Sequence, residues 1–275
     1  MKLFLKYLLS LLILIYLSDK IISGAFNELI AKSEFRYINL FNENPDVYLI
    51  GNSRGVNSLS EIKFKNDYGL DVLNLSYNGL NPGEIVSLIQ HINKKKPLII
   101  EISSLLNNTS LRNDLGRFNS IKSLREKTFI GEIFNLIYFN NELTYRLMYY
   151  VFESDKSWIN KNIIDTISLN YYQNNKVKES FTLTNFWYVK NILDRMYINY
   201  LFYLAPIHHL KKNSIDNFEQ INSILKNNLG SKYLDISDLI SFDKGFADLL
   251  HTNHNSLDII HKSLHDFLKL NNKIN

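Results

Sequence analysis

Ser53 stands in "DVYLIGNSRG", Asp46 to Gly55, where an apolar run passes at once into Gly-Asn-Ser-Arg. No proline and no long loop intervenes, so the run ends by presenting a small hydroxyl. A serine hydroxyl is a weak nucleophile until a base takes its proton and a third group orients that base. Both residue types occur near the C-terminus in "FADLLHTNHNS", where Asp248 and His251 are three positions apart. On a loop this spacing lets the carboxylate reach one imidazole nitrogen while the other faces a different loop. The chain order is Ser, Asp, His, and the chemistry would be acyl transfer through a serine. Each residue also has a plainer use: Ser53 as a helix N-cap, His251 as a surface histidine ahead of a helix. His254 is a second candidate base, and His208 and His209, after "LAP", are placed to line the same cleft. No second ligand pair at metal-binding spacing accompanies these histidines, so the expectation is no metal and no cofactor.

The bulk composition narrows the field. The 275 residues contain no cysteine, which removes thiol nucleophiles, disulfides and thiolate zinc sites together. A net charge of +4, from 31 basic and 27 acidic side chains, is too mild and too dispersed to point to nucleic acid. The one basic run, Asn93 to Pro97, reads as a solvated helix end.

The elements that would position Ser53 and His251 follow a repeated pattern. Five short apolar runs read as strands buried on both faces: residues 46–51, 71–76, 97–103, 199–206 and 232–237. Between them, Asn81, Pro82 and Glu84 spell an N-cap, first-turn proline and capping box, followed by Ile85, Leu88, Ile89 and Ile92 at helical spacing. A second helix is expected from Ser214 to a stop at Gly230, and a last one from Ser256 to Leu270 with Leu257, Ile260, Leu264, Phe267 and Leu268 on one face. Alternation of this kind predicts a three-layer α/β/α sandwich on a mostly parallel five-stranded sheet, with loops carrying chemistry at the strands' carboxyl ends. Residues 105–197, rich in Asn, Tyr, Phe and Ser, break the rhythm and read as a largely helical insertion.

The N-terminus reads "MKLFLKYLLSLLILIYLSDKIISGAF". Its uncharged run, Tyr7 to Ser18, is short for a hydrocarbon core of about 30 Å. A span from Leu3 to about Ala25 works if Lys6 snorkels and the bilayer thins. Ser23-Gly24-Ala25 also resembles a signal-peptide cleavage site, and an amphipathic or buried helix is a third reading. The anchor is the preferred expectation. It gives residues 1–26 as membrane anchor or signal segment, 27–45 as a polar connector and 46–275 as the α/β domain. With the leading lysines cytoplasmic, that domain faces outward, and is secreted if the segment is cut.

Three of these blocks carry a resemblance. "GNSR" after the first strand, the glycine of "NLSYNG" after the second and "DLLH" before the final helix resemble blocks I, II and V of the SGNH (GDSL-type) hydrolase superfamily. The resemblance covers residues 46–105 and 199–270 and implies a flavodoxin-like sheet. It also implies Ser53 as nucleophile, His251 as general base, Asp248 as its orienting acid, and the N–H groups of Ser53 and Gly79 as oxyanion donors. Block III usually supplies an Asn after the third strand. Here that strand runs "IIEISSLL", with Ser103 or Ser104 in the corresponding place and Asn78 or Asn81 as substitutes.

With an anchor, the chain is similar to bacterial proteins that add or remove acyl groups on cell-surface polysaccharides. The implied function is a membrane-anchored serine esterase or O-acyltransferase whose substrate is a surface glycan or polyol. The alternative is a catalytically silent glycan-binding or assembly component beside a membrane acyltransferase. A lipase-like use would need a wide apolar cleft.

Overall fold

The computed structural model describes residues 2–32, 44–107, 159–175 and 177–274, with side chains of the first helix described from residue 4 to 21. The chain divides into two compact units, residues 1–42 with 114–156, and residues 43–113 with 157–275. The first contributes a helix, α1 (Lys2–Lys32). Every residue of α1 from Phe4 to Ser18 is exposed. Among the described residues, no helix is long and apolar enough to cross a membrane. Most of the connector, and the central run "GEIFNLIYFNNELTYRLMYYVF" of the insertion, lie outside the described residues.

The second unit is built in the order β1 (Val47–Ile50), α2 (Ser53–Ser58), α3 (Glu61–Tyr68), β2 (Val72–Asn74), α4 (Pro82–Ile89), β3 (Leu98–Glu101), α5 (Thr166–Asn174), α6 (Thr184–Arg195), β4 (Tyr200–Leu204), α7 (His209–Lys212), α8 (Phe218–Leu229), β5 (Tyr233–Asp235) and α9 (Leu257–Leu270). All five expected strands form, paired in parallel in the order β2-β1-β3-β4-β5. The strand order reverses between β1 and β3, which opens a crevice at their carboxyl ends.

Side-chain parity divides the core between the two faces of the sheet. Val47, Leu49, Val72, Ile99, Leu201 and Tyr203 pack with Phe64 of α3 and with Ile260, Leu264, Phe267 and Leu268 of α9. On the other face Phe202 meets Phe186 of α6, ring centroids 4.9 Å apart, and α6 packs on α4. The result is three layers, with every residue of β1 to β4 buried between them.

The capping box of α4 forms as spelled: Asn81 Oδ1 accepts from the Glu84 N–H at 3.0 Å, and Glu84 Oε2 accepts from the Asn81 N–H at 2.9 Å. Three boundaries differ from expectation. Helix α4 stops at Ile89, so Lys94 and Lys95 sit in a solvated turn that Asn93 caps, rather than in a helix end. Helix α8 begins at Phe218, not Ser214, because residues 214–217 are taken by a strap: Ile215 bridges Glu179, and Asn217 exchanges two bonds with the backbone of Phe181, each 2.8 Å. The expected insertion is divided too, since residues 157–197 belong to the unit that holds the sheet.

Candidate active site

The carboxyl end of β1 is built by close approach. A Cβ on Gly51 would lie 2.6 Å from Glu101 Cβ, and one on Gly55 2.5 Å from Ser76 Oγ. Bare backbone at these two positions lets α2 start directly against the ends of β2 and β3. The N-cap of α2 is Asn52, whose Oδ1 accepts from the Arg54 N–H at 2.9 Å. Ser53 is therefore the first helical residue, and its hydroxyl is not consumed as a cap.

Beneath it lie two buried charges. The Arg54 guanidinium, 5% exposed, donates to the carbonyls of Ala205 and Pro206 beyond β4. Burial pulls its pKa down, and the charge of the Glu101 carboxylate opposes that. Glu101, 0% exposed, accepts from the Ser103 hydroxyl at 2.6 Å and from the N–H groups of Ser103 (3.2 Å) and Ala205 (3.4 Å). The ends of β1, β3 and β4 are thus tied together under Ser53.

His251 and Asp248 arrive on a tight loop closed by an antiparallel bridge between Phe246 and Thr252. Asp248 Oδ1 accepts from the N–H groups of Leu250 and His251, both at 2.8 Å, and Oδ2 lies 2.7 Å from His251 Nδ1. Burial pushes the Asp248 carboxyl up. The His251 hydrogen bond and charge, with the two backbone N–H groups, outweigh it and hold the pKa below the ordinary carboxylate range. The other imidazole nitrogen, Nε2, lies 2.7 Å from Ser53 Oγ across 198 residues of chain. A carboxylate only accepts, so the proton of neutral His251 sits on Nδ1, and Nε2 presents a lone pair to the hydroxyl. The two segments are also pinned beside this contact, where Thr252 Oγ1 donates to the Asn57 carbonyl of α2 at 3.1 Å.

Ser53 and His251 share a cavity of ≈ 170 Å³ with Asn52, Ser103 and Asn107 on its polar wall and Phe181, Ile207, Ile215 and Leu250 on its apolar wall. Lys211 Nζ donates to Glu179 Oε1 at the rim. Beyond Leu250 and Lys211 lies a wider apolar groove of ≈ 530 Å³, lined by Ile164, Ile167, Tyr171, Tyr172 and Leu249 and edged by Asp248. Sequence reading missed Asn52, Asn107, Glu179, Phe181 and Lys211. Glu179 and Phe181 are held here by the 214–217 strap, whose partners are more than thirty positions away.

Other expected residues lie elsewhere. Gly79 and Asn78 are exposed on the turn after β2 and are not among the residues lining this cavity. The turn itself requires glycine at 79, where φ is +72°. Asn81 spends its carbonyl oxygen on the α4 cap, and Ser104 Oγ is buried with no hydrogen-bond partner among the described residues. His254 is exposed, its N–H donating to the Asn160 carbonyl at 3.0 Å.

Among the described residues one cluster, His208, His209 and Asp243, has ligand atoms within 4.8 Å of one another. Its donor set fits a hydrogen-bonded pair better than a metal. His208 Nδ1 accepts from the Leu210 N–H at 3.3 Å, so Nε2 carries the proton and gives it to Asp243 Oδ1 at 3.0 Å. A metal on Nε2 would force that proton onto Nδ1, against another N–H. Burial holds the His208 pKa below its ordinary value even though the Asp243 bond raises it.

No family model matches the chain, and no curated protein matches it. It is similar to a solved structure from Streptococcus pneumonia provisionally named as a platelet activating factor. The identity is 11% and the TM-score 0.45, over 92% of this chain and 98% of that one. It is also similar to a provisionally named lipolytic protein of the G-D-S-L family from Desulfitobacterium hafniense DCB-2, at 10% identity and a TM-score of 0.43, over 82% of this chain and 100% of that one. At such identities, chemistry has to be argued from the cleft.

Proposed function

We propose that the chain is a serine esterase or O-acyltransferase of the SGNH type, and the observation that carries this reading is the continuous Asp248–His251–Ser53 chain of 2.7 Å contacts. Ser53 Oγ attacks the carbonyl carbon of an ester while His251 Nε2 takes the hydroxyl proton and Asp248 stabilises the imidazolium. The carbonyl electron pair moves onto oxygen, where the Ser53 N–H receives it. Collapse breaks the bond to the alcohol, which leaves with the proton from His251, and the acyl group stays on Ser53. A second acceptor, water or a sugar hydroxyl, then gives its proton to His251 and takes the acyl group, and the bond to Ser53 Oγ breaks as His251 passes that proton back to it.

The ≈ 170 Å³ cavity supports a short acyl group such as acetyl. A cell-surface glycan or polyol as acceptor rests on α1 as an anchor that places the domain outside the cytoplasm. What supports the anchor is that every residue from Phe4 to Ser18 is exposed on a helix rich in Leu and Ile, since a helix apolar all round needs an apolar surrounding. The uncharged run from Tyr7 to Ser18 covers only ~18 Å as helix, so the anchor would need thinning of the bilayer. Full-length protein released from membranes by an alkaline wash would sink this part.

The apolar groove beside Asp248 favours a second reading, in which the ester carries a longer hydrocarbon chain. One experiment separates these: labelling of the full-length protein with a fluorophosphonate, alongside Ser53→Ala and His251→Ala, followed by p-nitrophenyl esters of rising chain length. Labelling lost in both variants with a preference for acetate supports the first reading, and a preference for octanoate the second. No labelling of folded wild type removes both and leaves a silent glycan-binding or assembly component.

A further inference from the structure

The place after β3 where the resemblance expects an asparagine holds Ser103 and Ser104, and neither serine serves as an oxyanion donor. Ser104 is not among the residues that line the cavity shared by Ser53 and His251. The Ser103 hydroxyl is spent, because Glu101 as a carboxylate only accepts and takes its proton at 2.6 Å. Ser103 Oγ can then only accept, and it does so from Asn52 Nδ2 at 2.9 Å. The Asn52 amide is held at both ends: its oxygen accepts the Arg54 N–H at 2.9 Å, its nitrogen donates to Ser103. The flipped amide would set oxygen against the Ser103 lone pairs and NH₂ against an N–H. An amide nitrogen carries two hydrogens. Ser103 takes one; the other has no acceptor among the described residues, on a side chain that lines the cavity shared by Ser53 and His251.

We propose that Asn52 supplies the side-chain donor to the oxyanion formed at Ser53, held in register by Ser103 and Glu101. The residue type expected after β3 has moved to the position just before the nucleophile, and the carboxylate at the end of β3 fixes its polarity. Asn52 donates a hydrogen bond only: the proton lost by Ser53 still goes to His251, and the charge on the former carbonyl oxygen is what Asn52 meets. Asn52 is thus a catalytic residue, and Ser103 and Glu101 are positioning residues. The inference rests on Ser53 being the nucleophile.

The test uses full-length protein with p-nitrophenyl acetate, a fluorophosphonate and phenylboronic acid, whose Ser53 adduct is a tetrahedral borate anion with an oxygen where the oxyanion forms. Asn52→Ser keeps an N-cap acceptor for Arg54 and removes the amide donor. It is expected to lower kcat and the rate of fluorophosphonate labelling roughly a hundredfold to a thousandfold. KM should stay within about threefold while boronate affinity falls in step with kcat, since a donor aimed at the oxyanion acts in the transition state. Ser103→Ala, which frees the amide without deleting it, is expected to show the same split with a smaller loss, about tenfold, within the same scale of effects. A purely structural role would move the unfolding midpoint rather than this split. Asn52→Ser with wild-type kcat and boronate affinity overturns the inference, as does a variant whose loss lies in KM. If the wild type neither labels nor hydrolyses, the Ser53 reading itself fails, and the wild-type control alone reveals it.

Discussion

The two segments that meet at the Ser53 to His251 contact are built in opposite ways. On the serine side, residues 51–55 are braced by distant partners: Glu101 under Gly51, Ser76 under Gly55, and the carbonyls of Ala205 and Pro206 on the Arg54 guanidinium. On the histidine side, the Asp248 carboxylate is bonded within a few residues, accepting from its own loop at positions 250 and 251. One side is buried and charged, the other half-exposed and local. A serine braced by buried long-range contacts gains a fixed position, while the orientation of the imidazole is set by a carboxylate three residues away.

That contrast has consequences for stability. Arg54→Leu leaves Glu101 as an uncompensated buried charge and removes the brace to β4. Such a change is expected to cost about 3–5 kcal/mol, read as a large drop in the urea midpoint. A midpoint within experimental scatter of wild type would mean that the brace is not what holds the serine side.

The middle effect belongs to His261 of α9, which packs against the helices that follow Ser53. Its Nε2 accepts the Ser60 N–H at 3.1 Å, and burial, with Lys63 nearby, lowers its pKa to about 4 from 6.5. On acidification the unfolded chain therefore binds this proton first. The contribution of His261 is complete above pH 6.5, drains as pH falls toward 4 and levels off below. Its size is on the order of 3 kcal/mol. Asp67 and Asp258 work against the shift. His261→Gln, which keeps an acceptor for Ser60, should flatten this window relative to wild type, and two parallel curves between pH 4 and 6.5 would refute the assignment.

The smallest stability effect is expected on the histidine side. Asp248→Ala removes exposed loop bonds and should cost no more than about 1 kcal/mol, while activity through His251 falls steeply. A cost comparable to that of Arg54→Leu would erase the contrast between the two sides.

Much of this was legible because its cause is local. The five apolar runs became strands within a residue or two at each end, and the Asn81-Pro82-x-Glu84 cap needed no information beyond its own turn. The spacing of Asp248 and His251 likewise encodes the loop hydrogen bonds by itself. The rest had no local cause. Glu101 reads as an interruption of an apolar strand, and only the ends of β1 and β4 explain a fully buried carboxylate. The start of α8 was misplaced because residues 214–217 bond to residues 179–181, a partner that no helical periodicity announces.

For this chain, sequence by itself determined which segments fold as strands or helices and which residue types were available for acyl chemistry, because periodicity and capping act over a few bonds. Tertiary structure alone decided that Ser53 and His251, 198 residues apart, meet at 2.7 Å. It also decided that Ser103 receives an amide instead of offering a hydroxyl to the cleft. Those outcomes depend on strand order and on where buried charges find donors, and both are properties of the packed sheet.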